Sequence, residues 1–466
     1  MPKEMSERTK KLLLMVLIIG GFFSTLNQTL LNVALNDFMV IFKVDANTVQ
    51  WLSTGFMLVN GICVPITAYL MKRFSTRQLF ISSMSFLLIG SIVAASTSNF
   101  SVLLTGRMIQ AAGAGIIMPL MMTVIVYLFP VEQRGKMMGK VGFAIIFAPA
   151  IAPTLAGFIL DYFSWQWLFL FIIPFATIVI ILACKYMVNV TEPQQVKLDM
   201  LSVIYSTFGF GALLYGFSSA GGRGWSDVLV LAMIVGGVFF TTLFVMRQLA
   251  SKEPLLNLRV FKSNVYTMTS IINIAITVLM YADLILLPLY LQSGQGYSAF
   301  VAGLILLPGA IINALLSPTA GKLFDKFGAK PLFIAGTALI AISMLGVINI
   351  TPETSMMYII VRTIVLRVGL ACISMPLNTA ALNALPRELA SHGSAVNNTV
   401  RQLAGAIGTA VIVTLYSQQL TTAHEVGTLE SYAQAASGTY MYMLIVAIIS
   451  FVLAWFTPVP KKEIAS

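Results

Sequence analysis

Long apolar runs, each bounded by charged or turn-forming residues, recur along the chain at the length a helix needs to cross a bilayer. A hydrocarbon core of about 30 Å takes roughly 20 apolar residues in helical form. Fourteen stretches meet that measure. The first six run over approximately Leu12–Leu35, Thr48–Met71, Gln78–Ser96, Val102–Phe129, Met138–Leu160 and Gln166–Val188. Two shorter ones follow, Met200–Phe217 and Val228–Met246. The last six cover Tyr266–Leu291, Ser298–Ala320, Pro331–Ile350, Ser355–Leu377, Ser394–Tyr416 and Thr439–Phe456. The pattern predicts an all-α membrane protein. The basic N-terminus and first apolar run resemble a signal peptide but lack a small-x-small cleavage site, so an uncleaved first helix is expected.

Composition and charge sharpen this picture. Only 10% of the residues are charged and 58% are hydrophobic, whereas ordinary soluble domains carry about 25% charged residues. So few charges cannot cover a soluble surface. A net charge of +11 would raise the question of nucleic acid, but the Lys and Arg residues lie in short clusters between apolar runs, as anchoring to an anionic membrane face requires. With the N-terminus placed in the cytoplasm, alternate connections gather 22 of the 28 basic residues on the inside, and only Lys43 and Arg223 fall outside. The even helix count returns the C-terminus, with Lys461 and Lys462, to the cytoplasm. The other four, Arg107, Arg362, Arg367 and Arg401, fall within helices. A multi-pass protein of a bacterial inner (plasma) membrane is expected. Cys63, Cys184 and Cys372 have no paired spacing and read as small buried hydrophobes. His392 and His424 read as ordinary loop histidines, and no metal ligand set or cofactor is expected.

An internal repeat is visible at an offset of 253 residues. Leu70-Met71-Lys72-Arg73-Phe74-Ser75-Thr76-Arg77 corresponds to Leu323-Phe324-Asp325-Lys326-Phe327-Gly328-Ala329-Lys330, and near the same offset Arg107 meets Arg362 and Phe129-Pro130-Val131-Glu132 meets Leu385-Pro386-Arg387-Glu388. The repeat advances by eight helices. The simplest division is therefore a six-helix bundle in residues 1–190, two additional helices with linkers in 191–262, and a second six-helix bundle in 263–466. Two similarly oriented halves facing each other are a transporter architecture.

These motifs resemble the major facilitator superfamily over essentially the whole length, in its 14-helix drug:proton antiporter branch, which includes lincomycin-type and quaternary-ammonium efflux pumps. Gly321-Lys322-Leu323-Phe324-Asp325-Lys326-Phe327-Gly328 is similar to the superfamily's cytoplasmic gating signature. This implies gating roles for Gly321, Asp325, Lys326 and Gly328, with Arg73 and Arg77 in the degenerate N-half copy, where Lys72 replaces the acid and Ser75 the glycine. Arg107 to Gly115, including Gln110, resembles the motif whose arginine is implicated in proton coupling. The run Ala144 to Gly157, with Pro149, Pro153 and Gly157, resembles the antiporter signature with alanines in place of several glycines. Independently of the resemblance, its small residues at every fourth position allow close helix approach, and its prolines bend the helix. Ser164-Trp165-Gln166-Trp167 resembles the outer end of the sixth helix, with Gln166 in place of arginine.

One departure bears on coupling. Where the family carries a titrating acid in the first helix, this chain has Asn27, and an amide cannot bind and release a proton at useful pH. The one carboxylate well inside an apolar helix is Asp283, 256 residues later, roughly the pseudo-equivalent position. Proton coupling is therefore expected at Asp283, with Arg362 as counterpart of Arg107, because a movable arginine switches a carboxylate's proton affinity between states. The alternative role for Asp283 is selection of cationic substrates or capping of a helix bend. The polar residues Asn27, Gln28, Asn32, Gln110, Asn273 and Asn378 are the cavity candidates, since polar groups in membrane helices normally face a cavity or a partner.

No GxxxxGK[ST] loop or nucleophile motif appears, so an ATP-driven pump or an enzyme is not expected. The expected partners are small-molecule drugs, protons and lipid, with the chain acting as a monomer. The leading expectation is proton-driven export of hydrophobic or cationic drugs from the cytoplasm by alternating access. The competing ones are export of one endogenous metabolite, lipid or peptide, and a non-transporting sensor.

Overall fold

The computed structural model describes residues 6–31, 34–44, 46–190, 193, 199–422 and 428–458. The described residues form sixteen α-helices and no strand. The N-terminal part comprises α1 (Glu7–Leu30), α2 (Leu35–Phe42), α3 (Ala46–Arg73), α4 (Thr76–Ala95), α5 (Phe100–Leu128), α6 (Val131–Tyr162), α7 (Trp167–Leu170) and α8 (Ile172–Tyr186). A hairpin of α9 (Met200–Arg223) and α10 (Val228–Ala250) follows. The C-terminal part comprises α11 (Asn264–Leu289), α12 (Ala299–Phe327), α13 (Ala329–Leu345), α14 (Met356–Asn383), α15 (Ala390–Thr422) and α16 (Leu429–Phe456). Thirteen segments are long and apolar enough to span a membrane, and the 17-residue α13 is a fourteenth, shorter apolar helix. The expected all-α, fourteen-segment fold is present.

Side-chain caps start many of these helices and satisfy N–H groups that have no partner within the helix. Ser6, Asn99, Asp199, Asp227, Ser263, Ser298, Ser355 and Thr428 each accept from the first turn of the helix that follows. Ser75 forms a capping box with Gln78 at the start of α4, which gives the serine in the degenerate loop copy a job of its own. In the C-half copy the same turn is made by Gly328 at φ +79°, a left-handed conformation costly for any residue with a Cβ.

Two large apolar cores form, beside two smaller clusters that take in the α9–α10 hairpin. One gathers buried residues from α1 to α8, and the other from α11 to α16. The hairpin belongs to neither. Helix α9 packs on both α3 and α15, Trp51 stacks on Tyr215 at 5.5 Å between ring centroids, and the Trp225 indole donates to the Thr414 hydroxyl. The hairpin thus lies across a seam between the two halves. Its ends are joined by a bidentate pair, Arg247 Nε to Asp199 Oδ2 at 2.7 Å and Nη2 to Oδ1 at 2.8 Å.

Several local expectations are corrected. Helix α2 is a short helix that the run-length pattern does not predict; Trp165 ties it down, edge-on to Phe38 and Phe42 at 5.4 and 5.3 Å. Cys184 is exposed and Cys63 and Cys372 are half-buried, so none is a fully buried hydrophobe. His392 is not a loop surface residue. Helix α15 begins four residues before the expected Ser394, so His392 lies within it, 1% exposed, and its Nδ1 accepts from the Asn257 backbone N–H at 3.2 Å. His424 lies outside the described residues.

Candidate functional site

Helix α11 carries Asp283 into the second core, where side chains from α14 and α16 converge on it. Arg362 Nη1 donates to Asp283 Oδ1, and the Tyr440 hydroxyl donates to the same oxygen at 3.2 Å. Arg367, five residues further along α14, brings its Nη2 to 3.8 Å from Oδ2. Asp283 is 1% exposed, and Oδ2 makes no hydrogen bond. Arg362 is held in turn by Nε donating to the Ser343 carbonyl at 3.1 Å, and its guanidinium lies 5.1 Å from the centre of the Tyr440 ring. A carboxylate between two arginines and a phenol can exchange partners, because a proton on the carboxyl competes with the guanidinium for the same oxygen lone pairs.

The N-half holds the matching arrangement without an acid. Arg107 Nη1 donates to Asn27 Oδ1 at 3.0 Å, to the Asn27 carbonyl at 3.3 Å and to Gln110 Oε1 at 2.9 Å. Gln110 passes the network on to the Ser91 hydroxyl at 2.9 Å, and the Arg107 guanidinium lies 4.4 Å from the Phe56 ring centre. Amides and a π-face therefore hold Arg107 where a carboxylate holds Arg362. Gln28 is half-buried on α1 and is not one of Arg107's partners. Asn32 lies outside the described residues.

A third cluster joins α11, α14 and α15 of the C-terminal part. Asn273 donates to Asn397 Oδ1 at 2.9 Å, Asn397 donates to Asn378 Oδ1, and Asn378 donates to the Ser374 carbonyl at 2.9 Å. Asn378 and Asn397 line a small cavity of about 20 Å³ with Met118 and Met122 of α5 and with Ser394, Asn398 and Arg401 of α15. The structure thus brings together Asn273 and Asn378, but through Asn397, which the sequence reading missed. The signal was present: Ser394, Asn397, Asn398 and Arg401 recur at helical spacing on one side of an otherwise apolar helix. Tyr440 and Arg367 were missed for a different reason: nothing in local spacing ties either to Asp283.

Contacts between the halves concentrate at the end carrying the Gly321–Gly328 segment. Asp325 accepts from the backbone N–H groups of Gly135 and Lys136, at 2.9 and 2.7 Å, so a C-half carboxylate is bonded to the second turn of α6. Gly321 is needed beside it, because a Cβ there would come within 2.1 Å of the Gly135 carbonyl. Arg134 reaches Asn383 at 2.7 Å, and the hydroxyls of Ser317 and Ser394 donate to the carbonyls of Gly139 and Pro119 at 3.1 and 3.2 Å. Nearer the middle, Gln402 donates to Asn60 at 3.4 Å. Lys326 follows Asp325 near the end of α12, with its ammonium 5.1 Å from the Phe327 ring centre, and Gly328 makes the turn out of the helix. Arg73 and Arg77 are exposed; Arg77 donates to the Cys184 carbonyl near the end of α8 and not to the opposite half. Lys72, standing where the acid would be, lines a cavity of about 190 Å³ with Thr123, Tyr127, Glu388 and Ser391.

Helix α6 carries Pro149 and Pro153 without interruption. The fourfold small-residue spacing operates through Ala148, Ala152 and Ala156, all buried. Gly157 stands off that stripe, with open space where a Cβ would be, and Pro149 is exposed. Among the described residues no group of three or more His, Cys, Asp or Glu side chains could hold a metal.

Comparisons with known proteins agree in kind. Residues 17–409 match the sequence profile of the Major Facilitator Superfamily. The chain is 45% identical over 447 residues to the uncharacterized MFS-type transporter YcnB of Bacillus subtilis, covering 96% of this chain and 95% of that protein. It is 40% identical over 446 residues to the lincomycin resistance protein LmrB of Listeria innocua, covering 94% and 95% respectively. Among solved structures, the proton:xylose symporter XylE bound to 6-bromo-6-deoxy-D-glucose superposes with a TM-score of 0.69 at 16% identity, over 97% of both chains.

Proposed function

Because the chain belongs to the major facilitator superfamily, and is therefore a multi-pass inner-membrane transporter and not an enzyme, we propose that it exports hydrophobic drug-like molecules in exchange for protons, with Asp283 as the proton carrier. The observation that carries this reading is the placement of Asp283 between Arg362, Arg367 and Tyr440 inside the second bundle. A buried charge in a membrane protein is retained when it is used. The similarity to lincomycin resistance proteins supports drug-like cargo.

In this reading residues 1–190 and 263–466 are the two moving bundles and 191–262 the inserted pair. The contacts around Asp325, Gly135 and Gly321 hold the cytoplasmic end closed. A proton arriving from outside adds to the Asp283 carboxylate and displaces a guanidinium donor. The freed arginine rebalances the packing between α11 and α14, the bundles rock, and the proton leaves Asp283 on the inner side as Arg362 returns. Substrate binding from the inside drives the reverse movement. Arg107, held by amides that do not titrate, keeps one arrangement throughout, which makes the N-half the fixed partner.

Substrate-induced proton movement in proteoliposomes tests this, using lincomycin and a small panel of hydrophobic dyes. The wild type is expected to move protons. Asp283→Asn combined with Arg362→Gln, which leaves fewer stranded charges, is expected to bind substrate and move none. Proton movement that persists in the variant overturns the coupling role of Asp283.

A further inference from the structure

We infer that the substrate carries a carboxylate, recognised by Arg401 at the floor of the cavity between the halves, so that the transporter is selective for amphipathic organic anions. The inference rests on the transport reading above and narrows it. Four arginines lie well inside apolar helices against one carboxylate, Asp283, and that carboxylate is already shared by Arg362 and Arg367. Arg107 is stabilised by two amides and a ring.

Arg401 has no such compensation. Among the described residues it makes no ion pair, and its one hydrogen bond is from Nη2 to Asn398 Oδ1 at 3.2 Å, three residues earlier on its own helix. It sits 11 residues into α15 from Ala390, about 16 Å along the helix axis. It is half-buried, lines the cavity that also touches α5 and α14, and has no sealed, unpartnered nitrogen. An unpaired guanidinium at this depth is costly unless something pairs with it, and the planar fork of its donors matches a carboxylate.

The rest of the lining fits the same ligand. Asn378, Asn397, Asn398 and Ser394 supply neutral polar groups beside the charge, and Met118, Met122 and Leu382 supply adaptable apolar surface for the body of the molecule. At about 20 Å³ the cavity has room for little more than one water in this form, so the carboxylate seats against Arg401 only once the helices that line it have parted. A cation placed there meets like charge, so the cationic cargo expected from the sequence is disfavoured at this position.

The test uses three molecules with one naphthyl body and different heads: 2-naphthylacetate, 2-naphthylacetamide and (2-naphthylmethyl)trimethylammonium. Binding to the full-length protein in nanodiscs is read by calorimetry. The wild type is expected to bind the acetate at least tenfold tighter than the other two. Arg401→Gln is expected to erase that preference, and Arg401→Lys, which keeps the charge without the fork, to retain part of it. Tighter binding of the ammonium, a preference that survives Arg401→Gln, or no binding of any of the three overturns the proposal. Proteoliposome flux separates this from the broader reading. Acetate that binds in an Arg401-dependent way but is never moved overturns the exporter and leaves the anion site. Proton-driven movement of neutral or cationic compounds with no acetate preference leaves the exporter and overturns the anion site.

Discussion

Asp283 and Asn27 hold corresponding places in the repeat, and each receives the arginine of its own half, yet only one of them can exchange a proton. This gives the two arginines opposite sensitivities. Removing the Asp283 charge alone strands Arg362 and Arg367 in a buried site, and breaking a buried pair from one side costs about 3–5 kcal/mol. Asp283→Asn should therefore lower the unfolding midpoint of the purified protein markedly, and adding Arg362→Gln should recover part of the loss. Equal midpoints for the single and double variants would show that the two charges are not coupled. Asn27→Asp should instead be tolerated, since Arg107 is already in place to receive a carboxylate at 3.0 Å; a melt well below wild type would contradict that. The sequence revealed the correspondence through the repeat offset, because equal spacing survives duplication. It did not reveal Tyr440 as the second donor, because a contact between residues 157 apart depends on how α16 packs against α11, which no local pattern encodes.

In the proposed cycle the elements at this end act as a latch that joins the second turn of one helix to one carboxylate. Asp325 adds two charge-assisted hydrogen bonds to backbone N–H groups of α6, worth about 1–2 kcal/mol together. Asp325→Asn should open this end more often, by roughly tenfold for each 1.4 kcal/mol lost. A maleimide reporter at Ser317→Cys, with the native cysteines replaced by alanine, should label correspondingly faster in the Asp325→Asn background, and an unchanged rate would mean that the cap does not hold the latch. The hairpin pair is a different kind of staple. Arg247, bonded bidentately to Asp199, holds that carboxyl down at about 2. Its contribution is complete above the ordinary carboxylate range and is lost only as pH falls through about 2. It is also partly exposed, so it is worth at most about 1 kcal/mol. Asp199→Asn should therefore leave the pH profile of transport between 5.5 and 8 unmoved, and a shifted profile would make Asp199 part of the coupling. The hairpin itself was legible as two apolar runs, but its position across α3 and α15 was not, because run length gives a span and not its neighbours. Gly157 shows the same limit: the fourfold spacing on α6 was readable, and which of two small-residue faces packs inward was not.

At the scale of the whole molecule, lipid makes the architecture readable, since a bilayer admits only helices with closed backbone hydrogen bonding and fixes their length. The central charge balance was readable in part: the four embedded arginines are plain in the chain, but that Arg362 and Arg367 share Asp283, while Arg107 rests on two amides and Arg401 on one, emerges only from the packing. That balance has an energetic consequence for the transport cycle. If Asp283 is the single carrier, as proposed, one proton moves inward per cycle. If the cargo is an anion moving outward, the same cycle carries two charges through the field, and each is worth about 2.3 kcal/mol per 100 mV. A membrane potential alone, with no pH difference, should then drive accumulation of naphthylacetate in proteoliposomes, with roughly 4.6 kcal/mol available at 100 mV. A monovalent cation exchanged for one proton would move no net charge and would respond only to the pH difference. Setting the potential with potassium and valinomycin at equal pH, and measuring steady-state accumulation against voltage, separates the two. A slope equivalent to two charges supports carboxylate cargo with Asp283 as the single carrier, and a flat response overturns that pairing.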